Sequence, residues 1–543
     1  MQTVFSSAAR KATNALMCAI LLVFPLFTGT SGYSDITRWK FIFIAVAVSV
    51  WFAAAAVLCI RYKTLPHMSA PAALCAAFAL WAAVSAFASP WFPQTLLGAS
   101  RYTGLVTVLI YALIFIAAAL FGVQRRVYIY MIAASCAVCC LVASAQLLGC
   151  GVLYPNGYDY YDGGVRYVGT FLGTIGNTNL LAAFLAIAVP ICWLSASFGM
   201  RASAALAASG ALGTFVLCAS GSAGGLLAVA VSAAVAAPLL AGRGKLPRFL
   251  RVIAVSAAAA ALSAPWMGRA ALLGLAAAAA LMAAAALFGR LVPQERAAVM
   301  TVVLEMVAVI AMLAVIYFFP PADGHLAELS SILHGEIRGE FGSSRLMIWQ
   351  QALALVPERP LLGGGPGTLS LRLDVEFSRY FPELEQTLTT YTDNAHNVYI
   401  SYLVDLGLPG LALYLALIAV SIAAALKRRS VQSLIILSAM TAAWTESFFG
   451  LGLCLTAPVM WAVWGLLFAR EETTYDFGVE TNGQEKAAKT DIRRPCDNGA
   501  GDLSARTVGN KADYQSDSVA NTGAGDGSTG NNSSSDAYPD PDA

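Results

Sequence analysis

The stretch HNVYISYLVDLGLPGLALYLALIAVSIAAALKRR, residues 396–429, decides the fold. From about residue 397 to about 426 it is almost wholly apolar, and a helix needs about 20 such residues to cross a bilayer. It ends on Lys427, Arg428 and Arg429, the kind of basic cluster that stays on the cytoplasmic side of a membrane. Its single acid, Asp405, sits where burial of charge is costly and marks either function or pairing within a bundle.

Similar runs precede and follow it. Working outward, they fall at about 12–30, 41–60, 70–88, 103–123, 127–148, 178–197, 203–219, 222–241, 252–265, 268–288, 298–319, 431–450 and 452–469. The expectation is an all-α, polytopic integral membrane protein of about 12–14 transmembrane helices. With the N-terminus in the cytoplasm, the short loops on that side collect most of the Lys and Arg. Only Arg38, Lys40, Arg101, Arg166 and Arg269 fall in short outer loops, so both termini are read as cytoplasmic and the protein as inner-membrane.

Composition supports this reading. The 543 residues are 58% hydrophobic and 12% charged, with a mean hydropathy of +0.68, whereas soluble domains carry about 25% charged residues. A net charge of +2 gives no reason to expect a nucleic-acid partner. Cys136 and Cys139 form a CxxC inside an apolar run, where cysteine behaves as a small hydrophobe. No metal or disulfide pattern is visible.

The expected organisation is N-terminal transmembrane helices over 1–319, an extracytoplasmic loop over 320–395, C-terminal transmembrane helices over 396–470, and a disordered cytoplasmic tail over 471–543. That tail is acidic, with about 14 acidic against about 6 basic residues, and too polar to bury an ordering core. Within the loop, SSRLMIWQQALALVPERP predicts an amphipathic interfacial helix with Leu346, Trp349, Leu353 and Val356 on one face. The glycines from Gly363 to Gly367 read as a turn. A shorter outer loop, about 149–177, is rich in tyrosine and glycine.

Under this topology Arg101, Asn177, Asn179, Arg345, His396 and Asn397 gather near the outer membrane boundary. An enzyme acting there lacks nucleotide sugars and needs a donor that arrives activated, such as a lipid diphosphate. Arginine suits the leaving pyrophosphate because its planar fork binds phosphate oxygens in pairs. A neutral histidine can take the proton of an attacking hydroxyl. Each residue also has a plain reading: Arg345 and Arg101 as headgroup anchors, His396 as a helix cap, and Asp405 and Glu446 as structural pairs inside helices.

The paired blocks GSSRLMIWQQALALVPERPLLGGGPGTLS and DNAHNVYISYLVDLGLPGLALYL resemble the signature of the O-antigen ligase and O-antigen polymerase superfamily. LLGASRYTG and GTIGNTNLLAAFLAIAVP are similar to its earlier blocks, so the ligase-like region runs from about residue 98 to about 415. The resemblance implies a membrane glycosyltransferase that uses neither metal nor cofactor. It would move a glycan from an undecaprenyl-diphosphate carrier to a hydroxyl on a glycan, lipid or protein acceptor. Arg345 and His396 would be catalytic, Arg345 and Arg101 would bind the diphosphate, and Asn397, Trp349, Asn177, Asn179, Asp405 and Glu446 would support them. In one departure from the pattern, no arginine occurs between Ala202 and Gly242, where family members often carry Ser-Arg. The alternatives are a polysaccharide polymerase of the same superfamily and a transporter or flippase of lipid-linked glycans.

Overall fold

The computed structural model describes residues 2–472 apart from 31–32, 34, 154–159, 163–164, 168–170, 264–278, 281, 285–286, 289–290, 322–323, 340, 343, 374–375 and 382–385. Side chains of residues 2–4, 154–170 and 374–391 lie outside the description too. The acidic tail therefore falls outside it almost entirely. So does most of the apolar run expected at about 268–288, and so do the side chains of Arg166 and the loop tyrosines.

Long apolar helices dominate. They are α1 (Gln2–Cys18), α2 (Ile36–Tyr62), α3 (Ala70–Phe87), α4 (Leu105–Phe121), α5 (Arg126–Leu147), α6 (Thr178–Ser197), α7 (Ser203–Ala219) and α8 (Ala223–Ala241). After α9 (Leu246–Ala261) come α10 (Ala297–Phe318), two helices of the long loop, α11 (Gly324–Leu333) and α12 (Arg345–Ala354), then α13 (Val398–Arg428), α14 (Val431–Glu446) and α15 (Ala457–Leu466). Among the described residues, 8 spans are long and apolar enough to cross a membrane, the first being Phe5–Leu26. Helices α4, α7 and α15 are apolar but shorter, so spans that looked equal as apolar runs differ in helical length. This is a multi-pass membrane protein.

The core forms around α6, every residue of which is buried from Leu180 to Ser197. It packs against α5, α7, α8, α9 and α14. A second cluster sets α15 against α4, where Trp461 and Trp464 are almost wholly buried among Phe115, Tyr111 and Tyr414. Helix α10 is the opposite case, with most of its apolar side chains exposed, as befits a helix solvated by lipid.

Two expectations need correction. Lys40 is not in a loop: it lies in α2, fully buried, and its Nζ donates to the carbonyls of Phe24 (3.0 Å) and Pro25 (3.3 Å). The helical segment ends at Leu26, so the carbonyls of Phe24 and Pro25 lie in its last turn, where the ammonium can serve them. On α12 the deeply buried side chains are Ile348 and Ala352, packed near Leu369, Leu373, Ala395 and Val404, whereas Leu353 is 43% exposed. The helix thus buries Ile348 and Ala352 against the protein and leaves Leu353 exposed.

The feature that positions everything at this end of the bundle is a break in α13. Gly407 leaves helical geometry (φ 71°, ψ −176°), which frees backbone groups inside an apolar bundle where each unpaired group is costly. The turn Pro360–Gly367 fills the gap. The amides of Gly364 and Gly365 donate to the carbonyls of Val404 (2.9 Å) and Asp405 (2.8 Å), and the Leu408 amide donates back to Pro360 (2.8 Å). From α3, Trp81 Nε1 donates to the Leu406 carbonyl at 2.9 Å and Ser85 Oγ to the Asp405 carbonyl at 3.0 Å. Only glycine fits this approach: a Cβ at Gly407 would stand 2.1 Å from the Leu361 carbonyl oxygen, and one at Gly363 (φ 65°) 2.4 Å from the Asp405 backbone.

At the chain's other end, Arg470–Glu471 pairs in parallel with Val123–Gln124, and Arg428 donates to the carbonyls of Leu467, Phe468 and Ala469. The ordered body thus reaches past Arg470.

The orientation expected from the basic loops is open to direct test by labelling. Ser330 is buried and donates to the Ile316 carbonyl, so the exposed Glu336 is the better site. In a background of Cys150→Ser, which removes the thiol exposed among the described residues, and Cys496→Ser in the tail, a membrane-impermeant maleimide should modify Glu336→Cys and spare His67→Cys in intact cells. Labelling of His67→Cys alone would invert the topology.

Candidate functional site

Residues 393–397, DNAHN, form the centre of the site, between the long loop and the start of α13. Asp393 Oδ2 accepts from Arg101 Nε at 2.8 Å and from Ser100 Oγ at 2.6 Å. Asn394 Oδ1 accepts the His396 N–H at 3.1 Å, an Asx turn that holds His396 in a left-handed conformation (φ 50°). The Ala395 carbonyl accepts Trp349 Nε1 at 3.0 Å. Asn397 then caps α13, its Oδ1 accepting from the amides of Tyr399 (3.0 Å) and Ile400 (3.1 Å).

The cap is therefore Asn397, and His396 is left free of that duty. Burial is the main reason its imidazolium is disfavoured, with the positive charges of Arg345 and Arg101 adding to the effect and Asp393 opposing it. Its pKa is lowered to about 4, so the ring is neutral, with a nitrogen lone pair available, throughout the physiological range.

Arg345 opens α12, and its Nη1 donates to the Gly342 carbonyl at 2.8 Å. Its Nε is buried without a partner. Burial lowers the pKa of this guanidinium too, while Glu446 and Glu328 oppose the shift. The structure therefore brings Arg345, His396, Arg101 and Glu446 into one electrostatic neighbourhood. Trp349, one helical turn past Arg345, lies against Phe448 (centroids 5.4 Å apart) and Phe449 (6.3 Å) as well as reaching the His396 loop.

Other expected site residues are occupied elsewhere. Asn177 caps α6, accepting from the amides of Asn179 and Leu180, and Asn179 is exposed. Among the described residues neither hydrogen-bonds Arg345 or His396. Asp405 Oδ2 accepts the Gly367 N–H at 2.9 Å, which makes it a strut of the turn. Ser222, in the stretch lacking arginine, caps α8 through the Gly225 amide.

Three residues escaped sequence reading. Asp393 binds Arg101 to the His396 loop. Glu328 accepts the Gly342 N–H beside Arg345 at 3.2 Å. Arg372, with a side chain only 3% exposed, donates to the carbonyls of Val404 and Leu355, both at 3.1 Å, and pairs with Glu358 at 3.2 Å. It ties the end of α12 to the break in α13. A polar stretch without periodicity gives no sign of such pairings, although Asp393 stands only three residues before His396.

Following His396 by NMR with ring-labelled histidine tests this electrostatic picture. The resonance should titrate near pH 4, and Arg345→Gln should move it upward by removing a positive neighbour. Titration at the ordinary histidine value in both proteins would show that the ring is neither buried nor beside Arg345.

No curated protein sequence matches the chain. A family model does: residues 267–415 match the model described as O-antigen ligase. Both Arg345 and His396 lie inside the match, together with the glycine turn and the broken part of α13, whereas Arg101, Asn177, Asn179 and Glu446 lie outside it. Over residues 267–415 the chain thus resembles the O-antigen ligase family, which suggests a glycosyltransferase-like enzyme.

Proposed function

We propose that the protein transfers a glycan from an undecaprenyl-diphosphate carrier to an acceptor hydroxyl at the outer face of the cytoplasmic membrane, acting as an O-antigen ligase or as a polymerase of the same superfamily. The observation that carries this reading is a half-buried Arg345 in the electrostatic neighbourhood of a neutral His396, one helical turn from Trp349, whose ring packs on the phenylalanines that line an apolar groove. That groove, of about 890 Å³, lies between α8, α13 and α14 and includes Pro238, Leu415, Leu426, Leu437 and Trp444. Its lining also includes Tyr399, Phe448 and Phe449, the last two being the rings against which Trp349 packs. A long isoprenoid chain fits such a groove, and its diphosphate would emerge beside Arg345.

In the transfer step, His396 accepts the proton of the acceptor hydroxyl as that oxygen bonds to the anomeric carbon. The bond from the anomeric carbon to the diphosphate oxygen breaks, and the leaving anion gains negative charge that Arg345 stabilises. A single displacement of this kind inverts the anomeric centre. Arg101 can join the diphosphate site only by exchanging its pair with Asp393. With side chains 42% and 26% exposed, that pair is weakly held and exchange is cheap.

Transfer assays with purified protein and a lipid-diphosphate glycan test the assignment. Arg345→Lys should lose most activity, because a point charge does not reproduce the guanidinium fork. His396→Ala should slow turnover by roughly 10²- to 10⁴-fold. Near-native transfer by both variants would reduce Arg345 to a headgroup anchor and favour the transport reading.

A further inference from the structure

The apolar groove between α8, α13 and α14 has two ends, and the donor reading uses only the one at Phe448 and Phe449. On α13 its lining runs from Tyr399 to Leu426, about 40 Å of helix at 1.5 Å per residue, against a hydrocarbon core of about 30 Å. The far end therefore reaches the headgroups of the opposite leaflet. There Arg243, just past α8, donates through Nη1 to the carbonyl of Leu239, a lining residue, at 2.8 Å, and through Nη2 to the carbonyl of Arg429, just past α13, at 3.3 Å. We infer that this mouth binds an anionic glycerophospholipid, with its phosphate on Arg243, Lys427 and Arg429 and an acyl chain in the groove. The site lies apart from glycosyl transfer and does not depend on that reading.

Basic helix ends are common on one side of a membrane. Geometry sets this one apart, because a guanidinium joins the two walls of an apolar groove where they end. The cations are also available. Lys427 and Arg429 are exposed, and among the described residues their side chains have no hydrogen bond or ion pair, whereas Arg428 is engaged by the carbonyls of Leu467, Phe468 and Ala469. Arg243 keeps N–H donors beyond those its carbonyl bonds use. The charge at this end is lopsided, since Lys245 adds a further cation. An acid, Glu295, comes to it as well, because Gln294 donates to the Ala241 carbonyl at 2.8 Å, but it is exposed and Arg296 follows it. The apolar walls then decide between sources of phosphate. Pro238, Leu239, Ile422 and Leu426 line this end; they offer a free phosphate nothing, but they bury an acyl chain attached to one. A carrier whose diphosphate lies beside Arg345 brings no anion to this mouth, and a zwitterionic lipid sets its own cation against those of the protein. Basic pockets between helices hold anionic headgroups for these reasons.

The test is native mass spectrometry of the full-length purified protein, delipidated in neutral detergent, with three probes: dioleoyl phosphatidylglycerol, dioleoyl phosphatidylcholine and glycerol 3-phosphate. The first phosphatidylglycerol should bind roughly tenfold more tightly than the first phosphatidylcholine, and glycerol 3-phosphate should not bind. Lys427→Gln combined with Arg429→Gln should weaken phosphatidylglycerol roughly tenfold and leave phosphatidylcholine unchanged. Leu426→Trp, which fills the groove, should weaken both lipids. As a control for charge alone, Arg61→Gln combined with Lys63→Gln, exposed residues at the end of α2, should bind both lipids as the wild type does. Should Leu426→Trp fail to fold, the Lys427 and Arg429 pair decides. Equal binding of the two lipids, binding of glycerol 3-phosphate as tight as that of phosphatidylglycerol, or an equal loss from the Arg61 and Lys63 pair would overturn the inference.

Discussion

The site hangs on one backbone arrangement, the broken helix at Gly407 and the glycine turn that plugs it. An interruption inside an apolar bundle leaves carbonyls and amides without helical partners, and no water is at hand to serve them. Here the freed groups are paired by Gly364, Gly365, Pro360, Trp81 and Ser85. That pairing fastens the long loop to α3 and α13 at a fixed height. Arg372 extends the fastening to the end of α12. Arg345, at the other end of α12, and His396, just before α13, are thereby held by elements that share the same plug. Substituting any of the closely approached glycines would disturb both at once.

Electrostatics follow from that placement. Burial, with two guanidinium groups near by, keeps the imidazole neutral, while Asp393 pairs with Arg101 and opposes the shift. Arrival of a diphosphate anion would take over part of that opposition. The same anion would offset the positive field on His396 and raise its basicity when a proton has to be taken. On the proposed reading, a site arranged in this way would bind an anion and prepare its base in one event.

The bilayer-spanning character was plain in the sequence because it depends only on local hydropathy, and α13 was recognisable from its length and basic end. Helix count was less so: α4, α7 and α15 read as runs equal to the rest, yet their helices are shorter. Lys40 looked like a loop cation, because its partners at Phe24 and Pro25 lie on another segment. Arg345 and His396 stood out through position and motif resemblance. Asp393, Glu328 and Arg372 did not, since their meaning comes from carbonyls and charges brought near only by folding. The break at Gly407 was hidden for the same reason: Gly-Leu-Pro-Gly admits a break, but the turn that makes one tolerable is some 40 residues away. Asn177 drew attention as a polar residue at the boundary, and its work is a helix cap.

Determination of the diphosphate position by cryo-electron microscopy, with undecaprenyl diphosphate added to the purified protein in nanodiscs, tests the central claim most directly. Both phosphates should lie within hydrogen-bond reach of the Arg345 guanidinium, the His396 ring beside them, and the isoprenoid chain in the groove between α8, α13 and α14. Diphosphate density resting on other residues, with Arg345 directed into lipid headgroups, would contradict it.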